Sequence, residues 1–167
     1  DVDADTIELA DDAGDITTTA GSGGNLDLGT AAIDAETANV PDINLTSAGE
    51  IVVGPIGQTT QVESVDIHVN TVTDRITLGG SIDSDNAVDI TGTAGVATNI
   101  HLGSDVDVTA GDANITLGNI ADANAHNLGA HGGTGDVQIG TIANGADVDI
   151  DGAAIILGNT TAASVDI

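Results

Sequence analysis

The sequence contains no cysteine, methionine, phenylalanine, tyrosine or tryptophan, although 40% of its 167 residues are hydrophobic. The core must therefore be built from Val, Ile, Leu and Ala, and side chains of that size fill only a narrow interior at the packing density of proteins. Without cysteine the chain forms no disulfide and has no thiol chemistry. It also lacks a run of about 18 apolar residues, so the sequence predicts no membrane-spanning helix.

Basic residues are almost absent, because Arg75 stands alone against 27 acidic residues and the net charge is −26. Phosphate binding needs a basic patch, so this composition excludes nucleic acid as a partner. The self-repulsion has to be screened by salt or by bound cations. The charge therefore indicates either solubility in a salty or calcium-containing medium or specific cation sites.

Two short phrases alternate along the whole chain. The first is an apolar-polar-apolar triplet such as Val106-Asp107-Val108, and the second is of the type "ITLG", which begins at Ile115. First phrases begin at Val2, Ile16, Ile43, Val65, Val88, Val106, Val148 and Val165, with a degenerate copy at His126-Asn127-Leu128. Second phrases begin at Ile7, Leu26, Ile51, Ile76, Ile100, Ile115, Val137 and Ile155. Each series repeats about every 21 residues, which predicts about eight units.

The triplets have the period of a β-strand with one buried face. Short strands in a unit of about 21 residues predict an all-β fold, a parallel β-solenoid with an aliphatic core and no caps. Isolated Ile33, Ile82, Ile120 and Ile142 suggest a weaker third face. An antiparallel sandwich is the alternative, but it requires neither the alternating phrases nor a column of glycines. We interpret residues 1–167 as one array that continues or stacks beyond both ends.

A glycine follows the second phrase in seven of its eight copies, which suggests a corner that needs either an unusual φ/ψ or close backbone approach. The column comprises Gly29, Gly54, Gly79, Gly103, Gly118, Gly140 and Gly158. The longest insertions, at 34–42 and 54–63, contain both prolines of the chain and are expected to be loops outside the sheets.

The phrases "DITTTAGSGGNLDLG" and "DVDVTAGDANITLG" resemble the repeat region of filamentous-haemagglutinin-like secreted proteins. The resemblance covers the whole chain. It implies a right-handed β-helical rod that is exported and displayed on a microbial surface as an adhesin shaft or a fibre.

Outward aspartates are the candidate metal ligands, since calcium prefers carboxylate and carbonyl oxygens. Three carboxylates on alternate residues would lie in a row in each of two clusters. The clusters are Asp147, Asp149 and Asp151, and Asp1, Asp3 and Asp5. His68 and His101 occupy outward positions in different units, where solvated surface histidines are favoured over a zinc pair.

Three sequons place possible glycans on Asn44, Asn114 and Asn159, although chance occurrence explains them equally well. Carboxylates occur everywhere, so their pairing indicates no catalytic site, and stacking aromatics for carbohydrate are missing. We therefore expect no enzyme activity and no required cofactor, with calcium as an optional ligand.

The repeat predicts a structural extracellular fibre segment of a microbial surface. It would elongate by end-to-end self-association or by covalent continuation into more coils. The alternative function is the shaft or ligand-bearing module of an adhesin, with calcium as an optional stiffening ligand. Its cell-surface or carbohydrate ligand would bind the insertions at 34–42 or 54–63.

Overall fold

The computed structural model of this chain is a parallel β-solenoid of about six turns. It describes residues 6–9, 16–20, 24–70, 74–92 and 99–167, and that part of the chain contains strands and turns but no helix. The predicted all-β parallel solenoid is therefore confirmed.

Nineteen strands follow one another along the described residues. They are β1 (Thr6–Leu9), β2 (Ile16–Ala20), β3 (Leu26–Asp27), β4 (Ala32–Ala35), β5 (Asp42–Ser47), β6 (Ile51–Val53), β7 (Ser64–Val69), β8 (Arg75–Leu78), β9 (Ile82–Ser84), β10 (Val88–Gly92), β11 (Asn99–Leu102), β12 (Val106–Ala110), β13 (Ile115–Leu117), β14 (Asn119–Asp122), β15 (Leu128–His131), β16 (Val137–Ile139), β17 (Ile142–Asp151), β18 (Ile155–Leu157) and β19 (Thr160–Asp166).

The strands stack into three faces, and each turn contributes to all three. Face 1 is the seven-stranded sheet of β2, β5, β7, β10, β13, β16 and β18. Face 2 consists of β3, β6, β8, β11, β14 and the beginnings of β17 and β19. Face 3 consists of β1, β4, β9, β12, β15 and the ends of β17 and β19, with Ile56 bridging β4 and β9. Strand β17 is long enough to join faces 2 and 3.

Aliphatic columns run along the inside of each face. On face 1, Ile43 pairs with Val65, Val65 with Val88, and Val88 with Ile115, and all four are buried. Full burial of one such side chain is worth about 1.5–3 kcal/mol. Because every column continues from coil to coil, each coil completes the core of its neighbours.

The expected count of eight coils is not confirmed, because the two phrases do not keep to one face each. First phrases from Ile16 to Val88 lie on face 1, but Val106 and Val148 lie on face 3. The second phrase at Ile7 lies on face 3, those from Leu26 to Ile100 lie on face 2, and those from Ile115 onwards lie on face 1. All three faces need the same apolar-polar-apolar pattern, so the pattern does not say which face a strand joins.

Candidate functional site

Side chains at the corners bind the backbone of the next coil. The side-chain oxygen of Asn114 accepts a hydrogen bond from the backbone N–H of Asp136 at 2.8 Å, and that of Asn119 accepts one from Thr141 at 2.8 Å. We call the residues that bond in this way the corner acceptors: Asn25, Ser81, Asp105, Asn114, Asn119 and Asn127. Each directly precedes an inward aliphatic residue and bonds a residue 20 to 26 positions later. Many of the Asn and Asp residues therefore have a structural role.

The cation ladder of Asp147, Asp149 and Asp151 lies on β17, where all three residues are exposed. Asp147 accepts a hydrogen bond from the Ser164 hydroxyl, and Asp151 lies in register with His131. In the described ranges no group of three or more His, Cys, Asp or Glu side chains is arranged to hold a metal ion. Calcium binding by this ladder stays a prediction, and the cluster of Asp1, Asp3 and Asp5 lies outside the described residues.

Face 3 carries a depression of about 280 Å³ where Gly129 lies in register between Asp107 and Asp149. Gly129 has no side chain, so it leaves a gap in an otherwise acidic row. The walls include Asp105, Asp107, Asn127, His131, Asp147 and Asp149.

Two histidines reach back from this region to carboxylates of the preceding coil. His131 Nε2 lies 3.2 Å from Asp107 Oδ1, and His126 Nδ1 lies 3.4 Å from Asp105 Oδ1. These contacts become ion pairs only when the imidazoles are protonated. Sequence reasoning missed both pairs because it took His126-Asn127-Leu128 as the degenerate first phrase. The residues in register with Val106, Asp107 and Val108 are instead Leu128, Gly129 and Ala130. His68 and His101 lie on different faces, so the structure does not bring them together.

Face 1 contains two carboxylates in direct register, Asp66 on β7 and Asp89 on β10. Partial burial raises the pKa of Asp66 above its ordinary value, the negative charge of Asp89 raises it further, and His68 opposes the shift. The neighbours in the same row are uncharged, Asn44 on one side and Thr116 on the other.

The two long insertions meet at one corner between faces 3 and 1. The backbone N–H of Asn39 donates to the carbonyl of Gln61 at 2.9 Å. The N–H of Thr59 donates to the carboxylate of Asp34 at 2.9 Å, and Asp34 is only 7% exposed. We call residues 36–40 and 57–61 the double loop. Residues 36–40 are all exposed.

The glycines that follow the second phrases lie in two columns. Gly54, Gly79 and Gly103 follow strands of face 2, whereas Gly118, Gly140 and Gly158 follow strands of face 1. Close packing explains the glycine at one position of each column, Gly54 and Gly158. A Cβ atom on Gly54 would lie 2.5 Å from the carbonyl oxygen of Ala31, and one on Gly158 would lie 2.8 Å from the carbonyl carbon of Gly140. Gly29 stands apart, since its φ of 64° is in the left-handed region.

The sequon asparagines differ in exposure. Asn44 is half-buried in the middle of face 1, whereas Asn114 and Asn159 are exposed at corners. Glycosylation of any of them stays a prediction.

Arg75 forms an ion pair with Glu50 of the preceding coil, with 3.3 Å between Nε and Oε1.

Compared with protein-family models, curated proteins and solved structures, this chain matches none. Among the described residues, no helix has the length and apolar character needed to cross a membrane. The solenoid fold by itself does not identify a family.

Proposed function

We propose that this chain is a structural segment of an extracellular filament on a microbial surface, as in filamentous-haemagglutinin-like proteins, and that it elongates by coil-on-coil stacking. In this proposal the ends are uncapped and the segment has no catalytic role. The following coil belongs either to the same polypeptide or to another copy.

The exposure of inward side chains in the last coil carries the proposal. Val165 on β19 lies in register with Val148 on β17, yet Val165 is 45% exposed and Val148 is 1% exposed. On face 1, Ile155 and Leu157 are half-buried, whereas their partners Val137 and Ile139 are buried. A further coil would cover this core as every earlier coil covers its predecessor.

Hydrogen bonding supports the same arrangement. Within the described residues, β18 pairs only with β16 and β19 only with β17, so each has one edge available for a further strand. Asn159 precedes Thr160, which lies in register with Ile142 and Ile120. Asn159 therefore occupies the same position in its coil as the corner acceptor Asn119. A backbone N–H of a coil stacked here would donate to Asn159 as the N–H of Thr141 donates to Asn119.

The denatured mass of the polypeptide isolated from its native assembly tests whether the filament gains its length from separate subunits or from one long chain. A mass near 16.2 kDa would indicate separate subunits that stack, and a mass many times larger would indicate one long repetitive chain. A globular native particle whose size does not exceed one solenoid segment would contradict the proposal.

A matched pair of variants tests the stacking surface. Val165→Asp places a charge on the exposed core, whereas Ile156→Asp changes an outward residue of the same coil that is 61% exposed. We expect Val165→Asp to shorten or abolish filaments in electron micrographs and Ile156→Asp to leave them unchanged. Filaments of normal length with Val165→Asp would overturn stacking through this coil.

The double loop favours a second candidate function, an adhesin shaft that bears a ligand site. Both insertions contribute to this one corner, whose exposed residues include Thr37, Gln58 and Thr59. Combined Thr37→Ala and Gln58→Ala substitutions should weaken binding to a carbohydrate array or to host cells, while Thr141→Ala at a distant exposed corner should not. Equal binding by both variants would remove this alternative.

A further inference from the structure

The corner between faces 2 and 3 contains Asn144–Gly145, which is the only Asn-Gly pair of the sequence. Asn144 is exposed and has a left-handed φ of 59°. The register between β17 and β19 shifts between Ile142 and Gly145, so Asn144 lies at the irregular step of an otherwise regular ladder. An open depression lined by Asp122, Asn124, Ala125, Asn144 and Gly145 gives water access to this corner.

We propose that Asn144 is a site of spontaneous deamidation in the folded protein, with Gly145 supplying the nucleophilic backbone nitrogen. Glycine has no Cβ, so its nitrogen is less shielded than that of any other residue and can approach the side-chain carbonyl carbon of the preceding asparagine.

The reaction consumes one water molecule and releases one ammonia molecule. The Gly145 nitrogen loses its proton to solvent and forms a bond to Cγ of Asn144. The side-chain nitrogen, which lies 3.5 Å from the Asp122 carboxylate, takes up a proton and leaves as ammonia. Water then opens the resulting five-membered imide. Cleavage of the bond from nitrogen to Cγ gives an aspartyl residue, and cleavage of the bond to the main-chain carbonyl carbon gives an isoaspartyl residue.

The product changes both charge and backbone. One more negative charge appears beside Asp122 in a chain whose net charge is already −26. The isoaspartyl form also inserts a carbon atom into the backbone of β17, the strand that joins faces 2 and 3. The modification therefore marks the age of the protein at a defined corner and weakens that corner.

The preceding coil provides an internal control. Asn124 is also exposed and has a φ of 52°, and it lies in the same corner, where the N–H of Ala125 donates to the carbonyl of Asn144 at 2.8 Å. Asn124 is followed by Ala125 instead of glycine. The two asparagines therefore differ in the residue that supplies the nucleophile, and the nitrogen that follows Asn124 is in addition held in this hydrogen bond.

The experiment incubates the folded chain at neutral pH in water enriched in heavy oxygen, followed by digestion with a protease that cleaves before aspartate. The peptide from Asp136 to Ala146 contains Asn144 as its only asparagine. We expect this peptide to incorporate heavy oxygen at least about tenfold faster than the peptide from Asp122 to Gly135, which contains Asn124 and Asn127, a barrier difference of about 1.4 kcal/mol. Equal rates in the folded chain, or reaction only in denaturant, would overturn the proposal.

Two variants test the role of the nucleophile. Gly145→Ala should suppress the reaction at Asn144. Its Cβ atom would meet Ala162 and Val148 at 3.2 Å, so folding is checked by circular dichroism. Ala125→Gly should raise the reaction rate at Asn124, and its φ of 58° suits glycine, so this variant is expected to fold. The N–H of residue 125 stays bonded to the carbonyl of Asn144, so Asn124 should still react more slowly than Asn144. Reaction of Asn144 at the parent's rate in the folded Gly145→Ala chain would contradict the proposed chemistry.

Discussion

At the scale of single residues, aspartates of similar appearance in the sequence have different surroundings. Asp105 is a corner acceptor that bonds the backbone of Asn127. Asp34 is buried and holds Thr59 of the double loop. Asp66 instead lies opposite another carboxylate, Asp89. Directly opposed like charges destabilise a sheet, so only the first two kinds of aspartate contribute to stability at neutral pH.

The Asp66 pair predicts a pH dependence. Because the folded state raises the pKa of Asp66, its favourable contribution is complete below the unfolded pKa and is lost as the pH rises through the folded pKa. We expect Asp66→Asn to raise the free energy of unfolding at neutral pH by less than about 1 kcal/mol, since water screens an exposed pair. The gain should disappear in acid, as measured by urea unfolding across the pH range.

Asp89→Asn and the double variant serve as controls for this pair. Both single substitutions relieve the same repulsion, so their gains should not add. Additive gains, or a gain from Asp66→Asn that is equally large in acid, would contradict the interpretation.

At the scale of strands and corners, the sequence predicts the inward residues well and the turns poorly. Apolar triplets such as Val65-Asp66-Ile67 indicated strands because the period of two is a direct consequence of strand geometry. The third face was predicted from Ile33, Ile82, Ile120 and Ile142, but only Ile33 and Ile82 lie on face 3. Ile120 and Ile142 lie on face 2 instead. The change of face between Ile100 and Ile115 could not be predicted, because corner length decides it and aliphatic triplets fit every face equally.

The candidate sites were predictable to different degrees, because some depend only on alternation along a strand and others depend on the register between coils. Exposure of Asp147, Asp149 and Asp151 follows from their alternation with inward residues. The pairing of His131 with Asp107 depends on which coil lies beneath, which requires the register. The corner acceptors were not foreseen, although an Asn or Asp directly before an aliphatic residue is their recurring signature.

The corner acceptors predict a stabilising role for Asn119. Asn119→Ala removes the acceptor for the Thr141 N–H, and we expect a loss of about 0.5–1.5 kcal/mol in the free energy of unfolding. Asn119→Asp keeps an acceptor oxygen at the same place and should lose less. Chemical denaturation of both variants makes the comparison, and equal losses would show that the hydrogen bond at this corner contributes nothing.

At the scale of the whole molecule, negative charge is distributed unevenly around the rod. Face 3 carries outward aspartates in most described coils: Asp83, Asp105, Asp107, Asp147, Asp149, Asp151 and Asp166. The described central row of face 1 has only Asp66 and Asp89 as acidic residues, beside Asn44, Thr116 and Gln138. Repulsion between copies is therefore strongest where face 3 meets face 3, and salt or cations should act mainly there.

This distribution leads to a prediction for cations. Sodium chloride should raise the midpoint of thermal unfolding by screening the net charge of −26. Calcium at the same ionic strength should raise it further if the row of Asp147, Asp149 and Asp151 supplies oxygen ligands, and a chelator should reverse only that increment.

Asp147→Asn with Asp149→Asn should abolish the calcium increment. The matched control, Asp112→Asn with Asp136→Asn, removes the same charge from exposed corners and should retain it. Identical midpoints in sodium and calcium at equal ionic strength would reduce the role of cations to screening alone.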